Sequence, residues 1–207
     1  MFDNLFGKKK PRNQKKEFPD APEFMRPKER MRAIEGSTSA ELAATLLIAP
    51  TALMQLSREE ALKIVSYMIP RRIDEGTTFI KEGDKSDTGY MMLLLEGEVT
   101  VENIVVSRRT PITVNVLGPG SLIGEMGLVD GHPRLASCTA SSEVRCAILS
   151  RAALEKMGQE DPVTAAKLMF AVSQRIAERL RDTTDKLKMY SQLVVAMQQE
   201  IDRLMPT

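Results

Sequence analysis

Residues 122–138, LIGEMGLVDGHPRLASC, decide how the whole chain is read. Gly124, Gly127 and Gly131 let the backbone turn sharply and come close to a bound group. Glu125 and Arg134 stand nine residues apart, and small Ala136 follows two further on. Arginine offers a bidentate fork to phosphate oxygens, the N–H groups of Leu135 and Ala136 add neutral donors, and a carboxylate accepts from a sugar hydroxyl. Together they ask for a ligand carrying a phosphate and a sugar. Without the glycines and the strands beside them, such a Glu and Arg read as a surface ion pair worth under about 1 kcal/mol.

Outward from this stretch lie short β runs: TTFI (77–80) before Gly83, YMMLLLEGEVTVENIVV (90–106) around Gly97, PITVNVL (111–117), SCTA (137–140) and VRCAIL (144–149). Short strands punctuated by turn residues predict a roll or barrel. Cys138 and Cys146 are expected on its strands as small core residues. Upstream, Leu42, Thr45, Leu46 and Ala49 recur at helical steps between Ser37 and Pro50. Ser57 with Glu60 forms a capping box for a second helix carrying Ala61, Leu62, Ile64, Val65 and Met68, which Pro70 is expected to end. Downstream, Asp161 followed by Pro162 is a strong helix start. No Gly or Pro then occurs until Pro206. One heptad line takes Ala166, Ser173, Leu180, Leu187, Val194 and Ile201, the other Met169, Ile176, Thr183, Tyr190, Met197 and Leu204. Six heptads predict a coiled coil with a second copy of the chain rather than a helix lying on a globular core.

GEMGLVDGHPRLA resembles the phosphate-binding cassette of the cyclic nucleotide-binding domain, the β-roll of bacterial cAMP receptor proteins and kinase regulatory subunits. The likeness runs from about residue 56 to 186, through KEGD (81–84) and LEGEV (95–99). It implies an α+β fold: a β-roll (a double-stranded β-helix or cupin-like jelly roll) flanked by helices, with a long C-terminal dimerisation helix. It further implies nucleotide contacts at Gly124, Glu125, Met126, Arg134, Leu135 and Ala136, with Val101, Val114 and Arg179 lining the pocket. ERLRDTTDKL (178–187) is similar to the helix whose Thr-Ser pair touches adenine, one residue from each chain, a role that passes to Thr183 and Thr184. A hydroxyl at a seam position also asks for some polar partner. Leu135 departs from the small residue, often Ser, Thr or Ala, that follows the arginine in the family. That substitution removes a hydroxyl contact and favours cAMP over cGMP as the expected ligand.

Composition narrows the rest. A single histidine, His132, set in a Gly-His-Pro turn and expected to face solvent, argues against a histidine metal centre, a Ser-His-Asp triad and a cupin-type enzyme. No metal and no enzymatic activity are expected. Two cysteines and no signal peptide fit a reducing, cytoplasmic setting. Residues 1–36 carry +4 and prolines at 11, 19, 22 and 27, reading as a disordered tail whose first 16 residues give weak membrane-surface contact. Residues 37–160 then hold the helical lead-in and roll, and 161–207 the dimerisation helix. Only 23 residues follow Thr184, too few for a helix-turn-helix, so no sequence-specific DNA binding is expected. The chain reads as a stand-alone cyclic nucleotide sensor and homodimer that signals to an effector protein. The alternative is a scaffold that uses roll and coiled coil structurally and binds nothing.

Overall fold

The structure, a computed structural model, describes residues 25–86, 88–104 and 111–204. In chain order it contains α1 (Pro27–Ile34), α2 (Thr38–Leu47), α3 (Arg58–Val65), β1 (Ile69–Ile73), β2 (Thr78–Ile80), β3 (Tyr90–Glu96), β4 (Val99–Ile104), β5 (Pro111–Leu117), β6 (Leu122–Ile123), α4 (Glu125–Asp130), β7 (Ser137–Ala140), β8 (Val144–Ser150), α5 (Arg151–Glu160) and α6 (Pro162–Leu204). The strands form two antiparallel sheets, ordered β1-β8-β3-β6 and β2-β7-β4-β5. This is the expected α+β roll with helical flanks.

Strand β3 explains how the layers stack. Met92 and Leu94 point into the roll, beside Ile148 and Cys146 of β8 and against Ile73, Ile80, Val99 and Cys138. Met91, Leu93 and Leu95 point the other way, under α2, α3, α5 and α6. Burial on both faces is why YMMLLLE is apolar without alternation. Cys138 and Cys146 are free, buried thiols, each pushed up to about 11, chiefly by burial.

The helical flanks keep most expected bounds and change some faces. The capping box of α3 is present, with Ser57 accepting from the Glu60 N–H and Glu60 from the Ser57 N–H, and Ala61, Ile64 and Val65 buried. The helix stops at Val65, however, and Pro70 falls inside β1 rather than ending α3. That site is open to proline because β1 is an edge strand. In α2 the buried face is Ala40, Ala43, Ala44 and Leu47, while Leu42 is exposed. The small side chains let α2 approach the sheet closely, a face that large residues alone do not reveal.

Helix α1 lies inside the segment read as tail, so helical structure begins before residue 37. Arg30 is 1% exposed; its guanidinium stacks 4.0 Å from the Tyr67 ring and pairs with Glu160. The Tyr67 hydroxyl also donates to Glu160, at 2.8 Å. Burial first, and that hydrogen bond second, push the phenol up to about 12. Proline content and charge pointed to disorder, and a partner 130 residues away supplies the order. Residues 1–24, with the expected membrane contact, lie outside the described residues.

Helix α6 is capped as predicted, Asp161 accepting from the Thr164 N–H at 3.1 Å and its hydroxyl at 2.8 Å. Its first part is not a free coiled-coil strand. Thr164, Ala165, Leu168, Ala171 and Val172 are buried against the chain's own helices and roll, whereas Ala166 and Ser173 of the heptad line stay exposed. The helix therefore lies on a globular core in its first part and leaves an apolar heptad line exposed beyond it.

Candidate functional site

The cassette is a backbone device before it is a set of side chains. Gly124 has φ +81 at the N-cap of α4, and a Cβ there would meet Arg134 Nη1 at 2.5 Å. At Gly127 a Cβ would meet the Thr88 carbonyl at 2.6 Å and Arg134 Nη1 at 2.9 Å. These glycines let the arginine lie flat on the turn, since any side chain would push it away. The turn read between Glu125 and Arg134 is thus a short helix followed by an extended return.

Arg134 is 6% exposed. Nη1 donates to the Gly124 carbonyl at 3.1 Å and Nη2 to the Tyr90 carbonyl at 3.2 Å, with the guanidinium 4.4 Å from the Tyr90 ring. Its backbone is held as well: Arg134 N–H donates to Asp84, and Gly83 N–H to Arg134. The KEGD loop thereby fixes where the cassette returns. The Asp84 carboxyl sits below its ordinary value, mainly because it accepts from the Ser86 N–H and hydroxyl.

Glu125, in the first turn of α4, is 2% exposed. One carboxylate oxygen accepts from Arg179 Nη1 of α6 at 2.5 Å, bridging 54 residues of sequence. A buried carboxylate needs such a partner. Leu135 follows Arg134 with 67% of its surface exposed, and Ala136 is half-buried. Among the described residues, the N–H groups of Leu135 and Ala136 make no hydrogen bond. Beside them the turn offers one buried cation and one buried anion, which can meet a phosphate and a ribose hydroxyl.

Of the other expected contacts, Met126 is half-buried on α4, and Val101 of β4 is half-buried opposite Cys138 of β7. Val114 is on β5, and its side chain lies outside the described residues. Thr183 and Thr184 are exposed on α6, beyond Arg179. Their hydroxyls donate to the carbonyls of Arg179 and Leu180 at 2.8 and 2.9 Å, so the polar partner asked of them is met within the helix. His132 faces solvent.

Sequence reasoning missed three supports. Tyr90 lies under Arg134; Thr88 donates to the Gly131 carbonyl at 3.2 Å; and Arg151, at the start of α5, donates to the Gly127 carbonyl at 3.0 Å. None has a local signal, because each is brought in by a segment outside the cassette. A cavity of about 320 Å³ shares Tyr90 with the cassette but is lined otherwise by β1, β2, the turn between them, Met92 and Ile148. Among the described residues no helix is long and apolar enough to cross a membrane, and no cluster of His, Cys, Asp and Glu could hold a metal ion.

The two-sheet antiparallel roll thus carries a glycine-hinged Glu and Arg on one turn, the architecture of a β-roll domain. The family pattern described as cyclic nucleotide-binding domain matches residues 70–161, and this chain belongs to that family. It is similar to a cyclic nucleotide-gated potassium channel of Rhizobium etli, 31% identical over 138 residues, covering 66% of this chain and 33% of the channel. A CRP-like cAMP-activated global transcriptional regulator of Mycobacterium tuberculosis is 27% identical over 124 residues, covering 60% and 52%. The solved cyclic nucleotide-binding domain of Methylobacillus flagellatus superimposes with a TM-score of 0.62 at 30% identity, covering 73% of this chain and 83% of that one. The chain spans between a third and about half of the two curated relatives.

Proposed function

We propose that the chain is a cyclic nucleotide sensor that takes cAMP before cGMP and signals to an effector protein through α6. The observation that carries this reading is the juxtaposition of buried Glu125 and Arg134 on one glycine-hinged turn, with Arg179 of α6 already on the carboxylate. A ribose hydroxyl donating to Glu125 competes with or joins Arg179, while Arg134 and the N–H groups of Leu135 and Ala136 receive the phosphate. Because Arg179 belongs to α6, filling the sugar site changes what holds that helix to the roll. Coupling then needs differential affinity for two helix positions and no long pathway.

Two copies pair along the seam of Leu180, Thr183, Leu187, Tyr190, Val194, Met197, Ile201 and Leu204, all exposed in the single chain. Thr183 and Thr184 would then stand at the junction of both chains and meet the base from each side. Calorimetric titration with cAMP and cGMP tests the sensor, the expected result being heat of binding with cAMP and less with cGMP. Leu187→Glu places like charges across the seam; the expected result is half the wild-type mass by light scattering, with weakened cAMP affinity. A variant of halved mass and unchanged affinity refutes the coupling.

One observation favours the alternative of a non-binding scaffold. Arg134 is engaged by two carbonyls and a ring, and Glu125 by Arg179, so the cassette is self-satisfied and any ligand must exchange these contacts. Absence of calorimetric heat at saturating cAMP, with no change in melting temperature, would establish that reading.

A further inference from the structure

With heptad positions lettered so that Leu180 is a and Thr183 is d, the face of α6 that packs on the roll is the g/c side: Ala165, Leu168, Val172 and, at its far end, Arg179. The same side continues past the roll, where every residue from Glu178 to Leu204 is exposed. There it reads Asp182, Lys186, Met189, Leu193, Ala196, Glu200, Arg203. It is apolar in the middle, and its two charged ends, Asp182–Lys186 and Glu200–Arg203, carry complementary charge order. Residues 189–199, MYSQLVVAMQQ, hold no charged side chain, although they stand on an exposed helix. Met189 and Leu193 are more than half exposed, and neither lies on the a/d seam, so pairing along the seam leaves them in water.

We propose that the g/c face of residues 186–200 docks antiparallel on the same face of a further copy of this chain, centred on Leu193. Antiparallel helices bring g positions opposite g positions. Centred on Leu193, Lys186 of each chain meets Glu200 of the other, twice by symmetry, and Met189 meets Ala196 beside them. A parallel arrangement of this face sets Lys186 against Lys186 and Glu200 against Glu200, like charge on like. The charge order along the face therefore selects the antiparallel mate. Glu200 lies 3.8 Å from Arg203 of its own helix, long enough to exchange that contact for the lysine. The seam dimer rests on the reading above; where it forms, its two tips mate with two others, and the particle is a tetramer joined tail to tail.

Light scattering on the full chain and three variants tests this. Wild type is expected at the tetramer mass, Leu193→Lys and Lys186→Glu at half of it, and the double swap Lys186→Glu with Glu200→Lys back at the wild-type mass. Mixing Lys186→Cys and Glu200→Cys chains under mild oxidation is expected to give the mixed 186–200 disulfide, with Cys138 and Cys146 buried and silent. A wild-type dimer that Leu193→Lys leaves unchanged and Leu187→Glu makes monomeric overturns the antiparallel mating and keeps the seam. A wild-type dimer that Leu193→Lys dissociates, with the mixed disulfide, supports the mating and overturns the seam. Self-coupled 186–186 and 200–200 products without the mixed one overturn the mating, as does a monomeric wild type.

Discussion

The two halves of α6 obey one periodicity and meet different fates. Up to Arg179 the helix lies on its own roll, and Leu168 and Val172 are fully buried. From Leu180 onward the same helix, with no break in capping or propensity, leaves Leu180, Leu187, Leu193, Val194 and Ile201 in solvent. At about 1.5 Å per residue the 43-residue helix spans about 64 Å, far more than one small β domain can cover. An apolar stripe therefore says that something covers a helix and leaves open whether the cover is the same chain or another. Glu125 and Arg179 sit at the boundary, so the candidate ligand site is also where the helix passes from one environment to the other.

The sharpest way to break this comparison is to cut one large side chain from each half. Leu168→Ala is expected to lower unfolding stability by about 2–5 kcal/mol, because it opens a cavity under α6. Denaturant unfolding in a monomeric background carrying both Lys186→Glu and Leu187→Glu reads this without contributions from assembly. At the boundary, Arg134→Ala is expected to cost about 1.5–3 kcal/mol of cAMP binding free energy, the range of a hydrogen bond to a charged group. Calorimetry checks it, and the far-ultraviolet circular dichroism of the variant should match wild type.

At the start of the helix, Asp161→Ala is expected to cost about 1 kcal/mol, as for other N-caps. The Asp161 carboxyl lies below its ordinary value of 3.8, first through the Thr164 N–H, then through the Thr164 hydroxyl. A depressed folded-state pKa means stability that is full above the ordinary value and disappears as pH falls through the folded one. The melting-temperature advantage of wild type over Asp161→Asn should accordingly be constant near neutrality and shrink as pH falls below about 4. Glu160 acts in the same direction: burial raises its pKa, but hydrogen bonds from Tyr67, Arg30 and Lys156 outweigh it and leave it below its ordinary value. The smallest effect belongs to the distal half. Leu193→Ala should change unfolding stability in that same monomeric background by less than about 0.5 kcal/mol, as expected of an exposed position. If its cost approaches that of Leu168→Ala, the contrast between the two halves is wrong.

Much of the architecture was legible because its signals are local. The Ser57–Glu60 box and the Asp161–Pro162 start need only neighbouring residues, and both stand in the structure. The strand runs were readable for the same reason, apart from β1, where Pro70 read as a helix stop, and two-residue β6. Glu125 and Arg134 declared themselves through the glycines between them. The supports of the site were silent: Tyr90, Thr88 and Arg151 are ordinary residues until the fold delivers them to the cassette.

By itself the sequence determined the strand runs of the roll, the turn that carries a carboxylate and a guanidinium, and the point where the long helix begins, since each follows from a pattern within about ten residues. Only the tertiary structure decided that Arg30 is buried beneath Tyr67 and Glu160, that α2 turns its alanines inward, and that Arg179 reaches Glu125. It also decided which face of α6 belongs to the roll and where that face runs out into solvent. The physical reason is common to all four. Periodicity and charge state what a surface needs, an apolar cover or an opposite charge, and only chain topology brings the residue that meets the need from 37 to 130 positions away.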